Sequence, residues 1–152
     1  MDLNKIIEGL NNKNYSTTQR LNEKDDSDLS DEEKFVIRKY QPQNVFIVYG
    51  TLGPDRPNHH KIEHIQGRWS KATIKGKLEA KGWGADLGYY GYVKATSGEE
   101  EEIEAFILFS DELTMNWKFL DDFEGDEYER ILAEFKLENG EPGVGNIYAL
   151  KK

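Results

Sequence analysis

Val45-Phe46-Ile47-Val48-Tyr49-Gly50 is an unbroken run of apolar side chains closed by a glycine, and the fold turns on how it is read. Its length suits a strand, and the lack of polar alternation means that both faces are covered. Further along the chain, Ala72, Ile74, Gly76 and Leu78 alternate with Thr73, Lys75 and Lys77, the pattern of a half-buried strand. Residues 89–95, 103–109, 128–137 and 146–150 read as further strands, the last two joined around the turn Asn139-Gly140-Glu141-Pro142-Gly143. Helices are few. Asn58 can cap a short one through about Ile65, and Ser110 or Asp111 can cap another running to about Glu124, where Gly125 ends it. Residues 50–57 and 82–88 are loops. Many short strands around one or two helices predict an α+β fold, a small mixed β-barrel with one or two packed helices, and not a doubly wound sheet.

Before Asn44 the character of the chain differs. Leu3, Ile6, Ile7 and Leu10 recur at helical spacing, residues 11–28 are polar and read as a mobile linker, and Ser30 with Glu33 forms a capping-box pattern opening a helix through about Tyr40, stopped by Pro42. The expected division is an acidic helical arm over 1–43 and one domain over 44–152. With every core stripe of the domain placed beyond Asn44, the arm is expected to pack loosely, and the domain to stay folded without residues 1–40. A protein partner that docks on the arm is the functional alternative.

Composition narrows the function. The chain has 152 residues, 37% of them apolar, 32% charged, with a net charge of −9. Basic residues are scattered among acidic ones, without the stripe that phosphate binding needs, which argues against nucleic acid. No apolar run reaches the roughly 18 residues of a membrane span, and residues 1–5 do not read as a signal peptide, so the expectation is a cytoplasmic protein with no membrane partner. Cysteine is absent, which excludes thiolate nucleophiles, disulfides and cysteine metal sites.

Glu124 is the candidate catalytic residue. At 100° per residue, Leu113, Trp117 and Leu120 lie within about 40° of its direction on the helix, Asp121 about 60° away and Asp122 about 160° away. One of three neighbouring acids therefore faces the interior, where removal from water and the negative helix end should both raise its pKa. A raised carboxylate suits proton exchange near neutral pH; a frayed helix end would instead leave Glu124 solvated. Tyr49-Gly50-Thr51-Leu52-Gly53 leaves the first strand through glycines, and successive N–H groups in such a turn can cradle a carboxylate or an oxyanion. His60 and His64, at i and i+4, could share a helix face and with His59 suggest a metal; an exposed surface is the alternative, and no metal is expected. Trp83, Tyr89 and Tyr90 could line a pocket or fill the core.

Two of these segments resemble one family together. Val48-Tyr49-Gly50-Thr51-Leu52 is similar to the signature loop of the γ-glutamylcyclotransferase-like family, with its AIG2-like and γ-glutamylamine cyclotransferase branches. Leu120-Asp121-Asp122-Phe123-Glu124-Gly125, followed by Tyr128 and Arg130, resembles its acid motif, about 70 residues further on. Pro57-Asn58-His59 resembles its Asn-His step.

The resemblance implies a compact mixed barrel and a γ-glutamyl amide substrate, whose α-amino group attacks its own γ-carbonyl to close 5-oxoproline and release an amine. It implies that Glu124 takes a proton from the ammonium and returns it to the leaving nitrogen. Tyr49, Gly50, Thr51 and Leu52 would bind the substrate, largely through backbone N–H groups, and no cofactor or metal would be needed. The loop departs from the family by continuing Gly53-Pro54-Asp55-Arg56 where a basic residue and glycine are usual, so the leaving-group side is not carried over. Plain glutathione degradation is disfavoured, since a family of different architecture is commonly assigned to it. The alternative to an enzyme is a non-catalytic binding or regulatory module using the same pocket.

Overall fold

The computed structural model describes residues 2–17, 20, 26–49, 53–54, 56, 59–79, 91–94 and 100–151. Helix α1 spans Leu3–Asn12 and α2 spans Asp31–Tyr40; strands follow at β1 (Val45–Val48), β2 (Arg68–Glu79), β3 (Gly91–Val93) and β4 (Glu101–Phe109); α3 covers Leu113–Glu124; β5 (Tyr128–Leu137) and β6 (Pro142–Leu150) complete the chain. Five strands close a mixed barrel in the order β1-β4-β2-β5-β6, with β1 returning to β6 in parallel. The sixth, β3, bridges β2 and β6, pairing antiparallel with the first and parallel with the second. The expected α+β barrel is the architecture found.

The opening pentapeptide is unbroken because the barrel has a covered outside as well as an inside. Val45 and Ile47 point inward among Ala72, Ile74, Ile103, Ala105, Ile107 and Ile147. Phe46 and Val48 point outward beneath α3, against Leu113, Trp117 and Leu120. The Phe46 ring meets Trp117 edge-on at 5.5 Å and Tyr148 at 5.8 Å, the geometry aromatic quadrupoles favour. This layer fixes the rotation of α3, and so the direction of its last residue.

The arm is not loosely attached, which overturns the expectation that all core stripes lie beyond Asn44. Ile6, Ile7, Leu10, Leu29 and Val36 form a third buried cluster with Leu132 of β5 and Val144 of β6. Only the end of β5, from Phe135 to Leu137, pairs with β2, so part of that strand edge needs another cover. Asn11 supplies it: its amide donates to the Leu132 carbonyl at 2.9 Å and accepts from the Leu132 N–H at 2.9 Å. An asparagine amide here stands in for a neighbouring strand.

The predicted capping box of α2 is present, with Ser30 Oγ accepting from Glu33 N at 3.1 Å and the Glu33 carboxylate accepting from Ser30 N at 2.8 Å. Glu33 is buried and also pairs with Lys13. Burial alone would raise its pKa, but hydrogen bonds from Lys13 and Ser30 outweigh that and hold it below the usual carboxylate range. The polar stretch read as a linker therefore contributes to packing through Lys13 and the buried Ser16.

Other boundaries moved. The helix expected over 58–65 is a short 3-10 turn at His59–Lys61 followed by turns, with Ile62 and Ile65 still buried beside α3. The Ser110 hydroxyl does not cap α3; it accepts from Glu112 N at 3.1 Å and donates to the Gln66 carbonyl. β6 begins at Pro142 and not at Asn146, and the Phe135 ring occupies the space where Gly143 would carry a Cβ. No helix among the described residues is long and apolar enough to cross a membrane.

Candidate active site

The site is built where α3 ends beside the end of β1. Gly125 takes φ 86° and stops the helix, its N–H donating to the Asp121 carbonyl at 3.1 Å. Nothing lies within 4 Å of where a Cβ would stand, so the requirement for glycine is the left-handed backbone itself. The residue just before this break is Glu124. It is half-buried, and its pKa is pushed up to about 7 by burial first and by the negative charge of Asp121 second. The second cause differs from the helix-end effect expected from sequence. Among the described residues, no donor reaches the Glu124 carboxylate within hydrogen-bond or ion-pair distance.

Asp121, one turn earlier, is held firmly. Tyr148 donates its hydroxyl to Asp121 at 2.6 Å, and Arg130 donates through Nε at 2.9 Å. The Arg130 guanidinium, with only 3% of its side chain exposed, lies 4.4 Å over the Trp117 ring. It also donates to Asn146 Oδ1 at 3.3 Å, and Asn146 Nδ2 donates to the Pro42 carbonyl at 2.7 Å. This brace joins α3, β5, β6 and the turn before β1. Two acids on one helix turn thus have separate parts: Asp121 is matched to a buried arginine, while Glu124 holds its charge poorly. Sequence marked Arg130 as part of the acid motif but did not show that Tyr148 and Asn146 complete the brace, because both come from a strand far along the chain.

Tyr49 reaches across the barrel. Its hydroxyl accepts from Tyr92 N at 2.8 Å and donates to the Tyr148 carbonyl at 2.8 Å, tying the end of β1 to β3 and β6. Burial pushes its pKa far above the usual 10 despite the Tyr92 hydrogen bond, with the Glu124 charge adding to the rise. Tyr49 therefore stays neutral, and its hydroxyl is committed to the scaffold. What it can offer a ligand is its main chain. Tyr128 is half-buried and its pKa is also raised, by burial and then by Glu124. The Glu124 charge thus acts on both Tyr49 and Tyr128. Gly50, Thr51 and Leu52 lie outside the described residues, as do Asn58, Trp83, Tyr89 and Tyr90.

The histidines do not gather. His60 and His64 share no helix; His64 contacts Asn116 Oδ1 at 3.2 Å and the Phe119 ring at 5.6 Å, whereas His59 lies against Trp69. Among the described residues no group of three or more His, Asp or Glu could hold a metal ion.

The structure is thus a closed mixed barrel with a half-buried acid at the end of its packed helix. Residues 46–152 match the model of the family described as gamma-glutamyl cyclotransferase, AIG2-like, and the chain belongs to that family. Among solved structures it is similar to YkqA from Bacillus subtilis, with 26% identity and a TM-score of 0.54 over 71% of this chain and 36% of that one. The chain therefore spans about a third of the length of YkqA. The protein At5g39720.1 from Arabidopsis thaliana is 26% identical with a TM-score of 0.51, over 70% of this chain and 68% of its own. An AIG2-like protein from Mus musculus aligns at 23% identity and a TM-score of 0.49, over 70% and 76% of the two chains. No curated protein matches the sequence. The family match begins at Phe46 and leaves out the arm.

Proposed function

We propose that this chain is a cyclotransferase acting on γ-glutamyl amides, with Glu124 as the single acid–base group. The observation that carries the reading is the Glu124 carboxylate, raised to about 7, without a protein donor among the described residues, and near enough to Tyr49 for its charge to act there.

In the proposed reaction the substrate ammonium gives a proton to the Glu124 carboxylate. The freed nitrogen lone pair attacks the γ-carbonyl carbon, and the carbonyl electrons move onto oxygen. When the tetrahedral intermediate collapses, Glu124 returns the proton to the amide nitrogen as its bond to carbon breaks, and the freed carboxylate takes the second proton of the ring nitrogen and passes it to the departing amine, which leaves as an ammonium. The products are 5-oxoproline and the released amine, and the carboxylate is restored. Backbone N–H groups following Tyr49 are the proposed donors to the glutamyl carboxylate and the oxyanion.

The raised pKa supports both halves of this cycle. A free α-amino group titrates near 8, so transfer to a base of pKa about 7 is uphill by roughly 1.4 kcal/mol. An ordinary glutamate near 4.5 would face roughly 5 kcal/mol and would be a poor acid at neutral pH. Because nucleophile and carbonyl belong to one molecule, positioning supplies much of the remaining advantage.

The test is incubation with a panel of γ-glutamyl amides and an assay for 5-oxoproline. Release of 5-oxoproline with one equivalent of amine is the expected result. Saturable binding of γ-glutamyl amides without turnover would replace the enzyme by a binding module.

A further inference from the structure

Two strands beneath α3 send side chains to the same carboxylate. Arg130 of β5 and Tyr148 of β6 are cross-strand partners, so they share one face of the sheet. On β6, Ile147 and Ala149 belong to the barrel interior, while Tyr148 between them lies in the outer layer with Phe46, Leu113 and Trp117. Its hydroxyl donates to Asp121 Oδ1 at 2.6 Å, and Arg130 Nε donates to the same oxygen at 2.9 Å. Burial first, and the Asp121 charge second, hold the Tyr148 pKa well above 10, so the hydroxyl keeps its proton and remains a donor. The main-chain carbonyl of Tyr148 accepts from the Tyr49 hydroxyl at 2.8 Å. One residue of β6 thus touches both sides of the candidate site, the helix turn that ends on Glu124 and the tyrosine that follows β1. Neither sequence motif contains it.

We propose that Tyr148 is a positioning residue for the reaction, acting on Glu124 through Asp121. The proposal rests on the cyclotransferase reading, in which Glu124 moves the proton. Asp121 stands one helical turn before Glu124 and is the like charge that acts on it. The Tyr148 hydroxyl therefore does two things. It helps fix the last turn of α3, and so the direction in which Glu124 leaves the helix. It also offsets part of the Asp121 charge that Glu124 feels. The other titratable groups on the packed elements, among the described residues, have different parts. Tyr49 and Tyr128 stay neutral and respond to the Glu124 charge, and Arg130 acts through Asp121. Lys61, from the 3-10 turn, lies 5.4 Å over the ring of Phe123, the residue before Glu124. A hydroxyl that sets both the direction and the proton affinity of the acid bears on the chemical step more than on substrate binding.

The experiment uses two variants of the full chain with opposite effects on the charge at Asp121. Tyr148→Phe keeps the ring beside Phe46 and the carbonyl that accepts from Tyr49, and removes only a donor from Asp121. More of the Asp121 charge then reaches Glu124 and disfavours its carboxylate, so the Glu124 pKa should rise. Asp121→Asn removes the like charge and leaves the Arg130 cation, so that pKa should fall. Both shifts are read by NMR titration of the glutamate side-chain carboxyl carbons, the Glu124 signal being the one that Glu124→Gln lacks. On the γ-glutamyl amide that gives most 5-oxoproline, Tyr148→Phe should lower kcat by on the order of tenfold and leave KM within about twofold. The acidic limb of kcat/KM should move with the NMR titration in each variant. A Glu124 titration that Tyr148→Phe leaves in place or moves downward overturns the proposal, and so does an unchanged kcat in an enzyme that turns over. Should Asp121→Asn not fold, Tyr148→Phe decides alone. If the titration moves as expected while no amide turns over, Tyr148 still positions the acid and the cyclotransferase reading falls by itself.

Discussion

Replacing Glu124 by glutamine should stabilise the protein, and by an amount that depends on pH. In the folded chain the carboxyl titrates near 7, against 4.5 for the free group. The folded pKa is raised, so the side chain favours the fold while it is protonated, below about pH 4.5. That contribution is lost as pH rises through 7, because the folded state then holds a charge that burial opposes. The rise from 4.5 to about 7 corresponds to roughly 3 kcal/mol at full effect. Glutamine never ionises. Relative to its own value at pH 4, its stability advantage over wild type should be roughly 1.4 kcal/mol at pH 5.5 and roughly 3 kcal/mol at pH 8. Urea titrations of both proteins at the three pH values measure this directly, and at pH 8 it corresponds to about 6–12 °C in Tm for a chain of this size. Any fixed cost of the amide cancels, because the comparison lies in the change with pH. A stability difference that stays constant from pH 4 to pH 8 would refute the reasoning and place Glu124 in water.

The brace and the arm give further expectations. Asp121→Asn leaves the buried Arg130 without its matching charge and should cost roughly 2–4 kcal/mol, read from the urea midpoint. Asn11→Ala uncovers the Leu132 N–H and C=O and should cost about 1–3 kcal/mol, with faster amide exchange at Leu132 as a specific sign. Deleting residues 1–40 exposes Leu132 and Val144, both at most 2% exposed in the fold, and should lower the urea midpoint markedly; an unchanged midpoint would show that the arm only rests on the barrel.

The barrel was legible because its strands carry period-two or fully covered apolar patterns, and β1 is the clearest case. The facing of Glu124 was legible for a related reason: Leu113, Trp117 and Leu120 set the buried stripe of α3 and are all buried. The arm was misread because its apolar stripe packs on Leu132 and Val144, and its polar anchors Asn11 and Lys13 find partners far along the chain or in the next helix. The start of β6 was missed because Gly143 and Gly145 are buried without an apolar signal, receiving the Phe135 and Val45 side chains where their own would be. The expected helix over 58–65 failed because Ile62 and Ile65, spaced for a helix face, are buried equally well by successive turns. Sequence set Asp121 only at the edge of the buried stripe of α3. The contacts from Arg130 and Tyr148 that hold its charge appear in the structure alone.

The central claim is that Glu124 shuttles the proton in ring closure, and the rate of 5-oxoproline formation by Glu124→Gln tests it most directly. On the best γ-glutamyl amide at pH 7.5, the variant should bind substrate with near-normal affinity and lose at least about a hundredfold in kcat. Wild-type kcat should fall below about pH 7 as the carboxylate takes up its proton. A glutamine variant that turns over within a few-fold of wild type would contradict the account.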